Sequence, residues 1–170
     1  MDIYDPNSRH DPSNKIHETA IIHDCVTLGK GNTIGPYTVI GGNGEIRGKI
    51  PADFKGTVQI GDNNVISEMV TIQRPFDEGK KTVIGSDNLI MAHSHVGHDV
   101  VIGNGCEICT GTILGGYVQV GDGAKIKLGV TVRNRKKVGK NSLVGMGAVV
   151  VKDVEDQQTV VGNPAKPLSK

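Results

Sequence analysis

Three histidines fall close together, His93, His95 and His98, in the run Met91-Ala92-His93-Ser94-His95-Val96-Gly97-His98-Asp99. Imidazole titrates near neutral pH, so such a side chain can take a proton from a hydroxyl or amine as it attacks a carbonyl. Asp99 is a carboxylate of the kind that orients an imidazole. Three six-residue steps on from His98, hence one coil above it if three such steps make a coil, falls Gly116 in Gly115-Gly116-Tyr117. A glycine leaves its backbone N–H accessible, and the N–H of Gly116 could hold the oxyanion of a tetrahedral intermediate. Lys125, Lys127, Arg133, Arg135, Lys136, Lys137 and Lys140 are read as a basic patch. It would suit the phosphates of phosphopantetheine or a nucleotide, or an acidic carrier protein. The plain alternatives are solvated surface histidines and an ordinary charged face.

The composition sets limits on what must position these groups. Among 170 residues there are 24 glycines and no tryptophan, and 3% are aromatic against 36% hydrophobic, so a core here must be filled with small branched aliphatics. Net charge is +1, which argues against a general nucleic-acid binder. No apolar run of about 18 residues exists and the N-terminus is polar, so neither membrane insertion nor a secretory leader is expected. Cys25, Cys106 and Cys109 are an odd number without a metal-ligand spacing, and are read as reduced thiols of a cytoplasmic protein with no metal.

A six-residue period runs through almost the whole chain. It starts as Ile16, Ile22, Leu28, Ile34, Ile40 and Ile46, and resumes as Ile60, Ile66 and Ile72. From Ile84 it continues unbroken through Ile90, Val96, Ile102, Ile108, Leu114, Val120, Ile126, Val132, Val138 and Val144 to Val150. Glycine often follows the aliphatic, and small residues such as Ala20, Ser94, Cys106, Thr112, Ala124, Ser142 and Ala148 stand four places after it. A helix would repeat at 3.6 and a plain strand at 2. Period six fits short strands joined by corners, three to a coil, each coil stacking on the last in parallel pairing. The expected fold is all-β: a parallel β-helix of about seven coils spanning 16–154. A polar tail or cap over 1–15 precedes it, and a cap over 155–170, which contains the turn formers Gly162-Asn163-Pro164-Ala165-Lys166, follows it. The period slips at 47–57 and skips at 73–83, so both stretches are expected to be loops extruded from the prism.

The segment Ile84-Gly85-Ser86-Asp87-Asn88-Leu89-Ile90-Met91 followed by His95-Val96-Gly97-His98-Asp99 resembles the UDP-N-acetylglucosamine O-acyltransferases of lipid A synthesis, within the hexapeptide-repeat acyltransferases. The resemblance runs from about residue 16 to 150. It implies a left-handed coil and acyl transfer from a phosphopantetheine thioester to a nucleotide sugar. It also implies His98 as general base, His95 lining the site, and Gly116 as the oxyanion glycine. Ala52-Asp53-Phe54-Lys55 matches the family's acceptor-binding loop, which points to Asp53 and Lys55. Gln73, Tyr117 and the pair Arg133-Asn134 stand where the family has histidine, histidine and His-Gln. They are therefore expected at the substrate site with altered chemistry. The Gly162–Lys166 ending resembles small acetyl-CoA-dependent hexapeptide acetyltransferases instead.

The implied partners are two further copies in a homotrimer, a sugar acceptor, and an acyl carrier protein or coenzyme A as co-substrate, with no permanently bound cofactor. Two other functions are compatible with such a fold. In γ-class carbonic anhydrases a zinc is held by a pair spaced like Ala92-His93 and His98, but the third ligand position here is Gln73, a poor zinc ligand. A non-catalytic β-helix is the other, although Thr110-Gly111-Thr112 is isolated, not stacked as in ice-binding faces.

Overall fold

A computed structural model of the chain describes residues 10–168, so the tail expected over 1–15 lies mostly outside the described residues. Its strands are short, most of two residues, and they stack into three parallel sheets that form the faces of a triangular prism. The first face climbs from Lys15–Ile16 to Thr159–Val161 and closes with an antiparallel strand, Lys166–Pro167. The second face runs from Ile21–Ile22 through His95–Val96 to Val149–Val150. The third runs from Val26–Leu28 through Lys81–Ile84 to Lys137–Val138.

Within each two-residue strand the side chains point to opposite sides, so the aliphatic of the repeat turns inward and its neighbour outward. Ile34, Ile66, Ile90, Ile108 and Ile126 are stacked, fully buried rungs of one such column. Each removes roughly 1.5–3 kcal/mol worth of apolar surface from water. The small residues four places on fill the corners, where Ala20, Ser94, Cys106, Thr112, Ala124, Ser142 and Ala148 are all buried. Three of the corners on one edge are filled by asparagines. The backbone N–H of Asn64 donates to Asn32 Oδ1, that of Asn88 to Asn64 Oδ1, and that of Cys106 to Asn88 Oδ1. This side-chain ladder ties successive coils together where the backbone turns away from its own pairing.

Regular coils pair residues 18 apart, as in His95 with Ile113. Across the first excursion the spacing is 32, and across the second it is 24. The strand Val39–Asn43 carries the chain out at Gly44, and it returns with Thr57–Ile60. Ile46, counted above as a rung of the period, therefore lies in the excursion and outside any strand. The second excursion leaves after Thr71–Arg74 and returns at Lys81–Ile84, so its free part is shorter than the slip in the period suggested. Both phenylalanines of the chain lie in these excursions and pack edge to face, Phe54 against Phe76, with ring centroids 5.8 Å apart. Phe54 is buried, so the two loops form one packed unit beside the prism. At the far end the last coil is shortened: Leu143 pairs with Thr159, and Val154 bridges to Val138. The prism thus reaches into the region expected to be only a cap.

Candidate active site

The second face places its outward residues in a vertical row. Thr71, His95, Ile113 and Thr131 follow one another along it, because residues of equal phase stack through the parallel register. His95 is thus on a strand and not in a turn, and it shares a short bond with the hydroxyl of Thr71, Nδ1 to Oγ1 at 2.7 Å. His98 occupies the next corner, between the second and third faces. His93 lies before the same strand, at the opposite edge of the face, where its N–H donates to Glu68 O. The three histidines are consequently not one cluster, and among the described residues no group of three His, Cys, Asp or Glu side chains is placed to share a metal ion.

His98 is held in a defined orientation. Its Nδ1 lies 2.8 Å from Asp99 Oδ2, and both side chains are largely buried. With the Nδ1 proton donated to that carboxylate, the Nε2 lone pair is free to accept a proton. The ring is bounded by Tyr117, edge to face at a centroid distance of 5.0 Å. The Arg135 guanidinium lies 4.1 Å above the Tyr117 ring, which fixes that ring in turn. Gly116 sits where a side chain is excluded, since a Cβ there would stand 2.6 Å from His98 Nε2. Gly97 is excluded from carrying one for a similar reason: its Cβ would come within 2.9 Å of the Gly116 nitrogen. Two glycines therefore keep the space around Nε2 and the Gly116 N–H open.

That space is a cavity of about 630 Å³, open along one side, lined by His95, His98, Gly116, Gln73, Asn134 and Glu45 among others. Gln73 is buried there, next to the buried Ile72 of the same strand. Burial holds the His95 imidazole below its ordinary pKa of 6.5; the Glu45 carboxylate opposes this, and the His98 ring adds to it. His95 thus lines the cavity mainly as a neutral hydrogen-bonding group.

Asp53 and Lys55 are not in this cavity. They line a separate depression of about 340 Å³ with Phe76, Asp77 and Glu78, all within the packed loops. Asp53 accepts the backbone N–H of Ile50 and so caps the short turn Pro51–Asp53. Arg133 is exposed beside Asn134 and does not line the cavity. Nor do the basic residues form one patch. Lys125 projects from the first face, Arg133 and Arg135 from the corner after the second, and Lys137 from the third. Lys127 is paired with Glu107, Lys136 with Asp153 and Lys140 with Asp122. A linear run of charge is wound around the prism by the coil, which separates its members.

Sequence reasoning missed Glu45, Asn43, Thr71 and Thr82. Glu45 and Asn43 stand between Ile40 and Ile46, where the period was counted as continuing but the chain has already begun to leave the prism, and both line the cavity. Thr82 did leave a signal, being the one hydroxyl in a buried column otherwise made of Val58, Val100 and Val118. Its Oγ1 donates to Gln73 O at 2.8 Å and accepts the Asp99 N–H at 3.0 Å.

A family model described as bacterial transferase hexapeptide (six repeats) matches residues 81–116, the stretch that carries His95, His98, Asp99 and Gly116. The acyl-acyl-carrier-protein–UDP-N-acetylglucosamine O-acyltransferase of Chlorobaculum tepidum is 36% identical over 118 residues, 49% of this chain and 45% of that protein. The crystal structure of a UDP-N-acetylglucosamine acyltransferase from Bacteroides fragilis superimposes with a TM-score of 0.84 at 34% identity, covering 91% of this chain and 60% of that one. The enzyme of the same name from Francisella novicida gives 0.75 at 28% identity, over 94% of this chain and 69% of that one. The chain spans about half the length of the curated relatives it matches. In repeat, in left-handed coil and in the sequence around its histidine corner, this chain is similar to the UDP-N-acetylglucosamine acyltransferases built on hexapeptide repeats.

Proposed function

We propose that the protein is an acyltransferase that moves an acyl group from a phosphopantetheine thioester to a hydroxyl or amine of a nucleotide sugar such as UDP-N-acetylglucosamine. The observation that carries this is the pairing of His98 with Asp99 at Nδ1 while Nε2 faces Gly116 across an open cavity. Nε2 takes the acceptor proton as the acceptor oxygen or nitrogen attacks the thioester carbon. The carbonyl oxygen gains negative charge and is met by the Gly116 N–H, which donates to no backbone acceptor among the described residues. The proton then passes from His98 to the departing thiolate, leaving acylated sugar and free thiol.

Gln73, His95 and Asn134 would hold the acceptor from the cavity wall, as donors and acceptors for sugar hydroxyls. Tyr117 would act by bracing the His98 ring, and Arg133 from the rim. Asp53 and Lys55 would contact the acceptor's distal part from the loop beside the cavity. The names of the similar curated proteins favour an acyl carrier protein as donor. No permanently bound cofactor or metal enters this mechanism.

The cavity is open along the second face, and a homotrimer would close it by setting a neighbouring prism against that face. Light scattering on the purified protein is expected to give three copies, and a monomer at micromolar concentration would overturn this part. No described helix is long and apolar enough to cross a membrane, and the proposed location is the cytoplasm.

The deciding experiment is an assay of acetyl-CoA and of acyl carrier proteins of several chain lengths against UDP-N-acetylglucosamine and other nucleotide sugars. Turnover with an acylated carrier protein is expected. Turnover with acetyl-CoA alone would instead make the protein a sugar acetyltransferase, the reading favoured by its Gly162–Lys166 ending. Absence of turnover with every pair would overturn the proposal.

A further inference from the structure

We propose that Thr82 is a positioning residue for the His98–Asp99 pair, replacing with its side chain a backbone contact that the second excursion removes. The proposal rests on the assignment of His98 as the base.

In the coils above, the corner is held from below by backbone alone. Tyr117 N–H donates to His98 O at 3.0 Å, and Arg135 N–H donates to Gly116 O at 2.9 Å. Tyr117 and Arg135 are left-handed, with φ of 62° each, a conformation that costs a non-glycine residue energy and persists only when neighbours hold it. Asp99 is left-handed too, with φ of 60°. By the register that pairs Thr71 with His95, the residue below this corner is Arg74. There the chain has already turned outward, toward Pro75 and the second excursion. The Asp99 N–H would lack an acceptor, and it finds one in Thr82 Oγ1 at 3.0 Å.

The direction of this contact is set by a second bond. Thr82 spends its one proton on Gln73 O at 2.8 Å, so a lone pair is turned toward Asp99. Thr82 is fully buried, so water cannot substitute for either partner. The hydroxyl thereby links the departing end of the loop, at Gln73, to the backbone of the residue whose carboxylate orients the base. It lets an extruded loop and a regular histidine corner exist on adjacent coils.

Thr82→Val is the direct test, because Val58, Val100 and Val118 show that valine fits this column. Thr82→Ser restores the hydroxyl. In Thr82→Val we expect kcat to fall about tenfold with the acceptor KM changed less than about twofold, the pattern of lost transition-state positioning. Thr82→Ser should recover most of the loss. Independently of any substrate, the downfield proton resonance of His98 Nδ1–H, bonded to Asp99, should broaden or vanish in Thr82→Val and persist in Thr82→Ser. On an Asp99→Asn background Thr82→Val should add little, since both changes act on one contact. An unchanged His98 resonance in folded Thr82→Val, or fully additive losses, would overturn the proposal. Should Thr82→Val fail to fold, Thr82→Ala is held to the same resonance criterion. Because that readout needs no acyl donor or sugar, an error in the proposed reaction shows as an inactive wild type and leaves this test standing.

Discussion

Gly116 lies one coil above His98 with its Cα turned to the imidazole, so that a methyl group there would stand 2.6 Å from Nε2. Gly116→Ala must therefore displace the ring or shift the corner. We expect it to lower kcat by about 10²–10³, the scale of a lost oxyanion donor. The fold should be retained, because the change faces the cavity and not the core. Steady-state kinetics beside circular dichroism will check this, and near-normal turnover would remove Gly116 from the mechanism.

Replacing His98 would remove the proposed base while leaving the coil intact. His98→Ala should cost about 10²–10⁴ in turnover. Asp99→Asn should keep the ring in place but offer Nδ1 the wrong partner, so its loss falls on kcat more than on KM. Full activity in folded His98→Ala would refute the assignment.

His95 makes stability depend on pH. Burial keeps its folded pKa below the ordinary 6.5, so the unfolded chain takes up a proton before the folded one does. Its contribution is complete above that value and is lost as pH falls toward the folded pKa. Urea unfolding at neutral and mildly acid pH should show the midpoint decline, and His95→Gln should flatten the decline. An unaltered pH dependence in the variant would assign the effect elsewhere.

Lys55 is proposed to contact the acceptor, so its replacement should separate acceptor from donor use. Its depression is lined by the packed loops and shares no lining residue with the cavity at His98. Lys55→Ala is therefore expected to raise the acceptor KM with little change for the thioester, and the reverse pattern would move Lys55 to the donor side.

The thiols should differ in reactivity. Burial and the adjacent Glu107 push the Cys109 thiol up to about 11, and burial raises that of Cys106. Only half-buried Cys25 is expected to react with a disulfide reagent in mildly alkaline buffer, and all three after unfolding. One equivalent still reacting in native Cys25→Ser would contradict this.

How far the site could be seen in advance depended on the repeat. Wherever the six-residue period holds, a residue's phase fixes whether it faces the core, a face or a corner. Ile90, Val96 and Leu114 are buried for that reason, and His98 and Gly116 meet because equal phases stack. Where the period fails, phase says nothing. Asp53 and Lys55 fell outside the cavity, and Glu45 came into it, through loop packing around Phe54 and Phe76 that no local pattern encodes.

The basic run from Lys125 to Lys140 shows the complementary case. Contiguous in sequence, it is distributed around the prism, because a coil turns its faces apart as it climbs. The sequence alone determined the coil, its inward aliphatics and the corner that bears His98, since these follow from a period that hydrophobic burial and parallel pairing enforce at every turn. Only the tertiary structure decided which wall the loops lend to the cavity, and that the Asp99 N–H is met by Thr82 Oγ1. Those contacts depend on the path of chain segments that carry no repeat, and a path of that kind is fixed by packing across distances the sequence does not display.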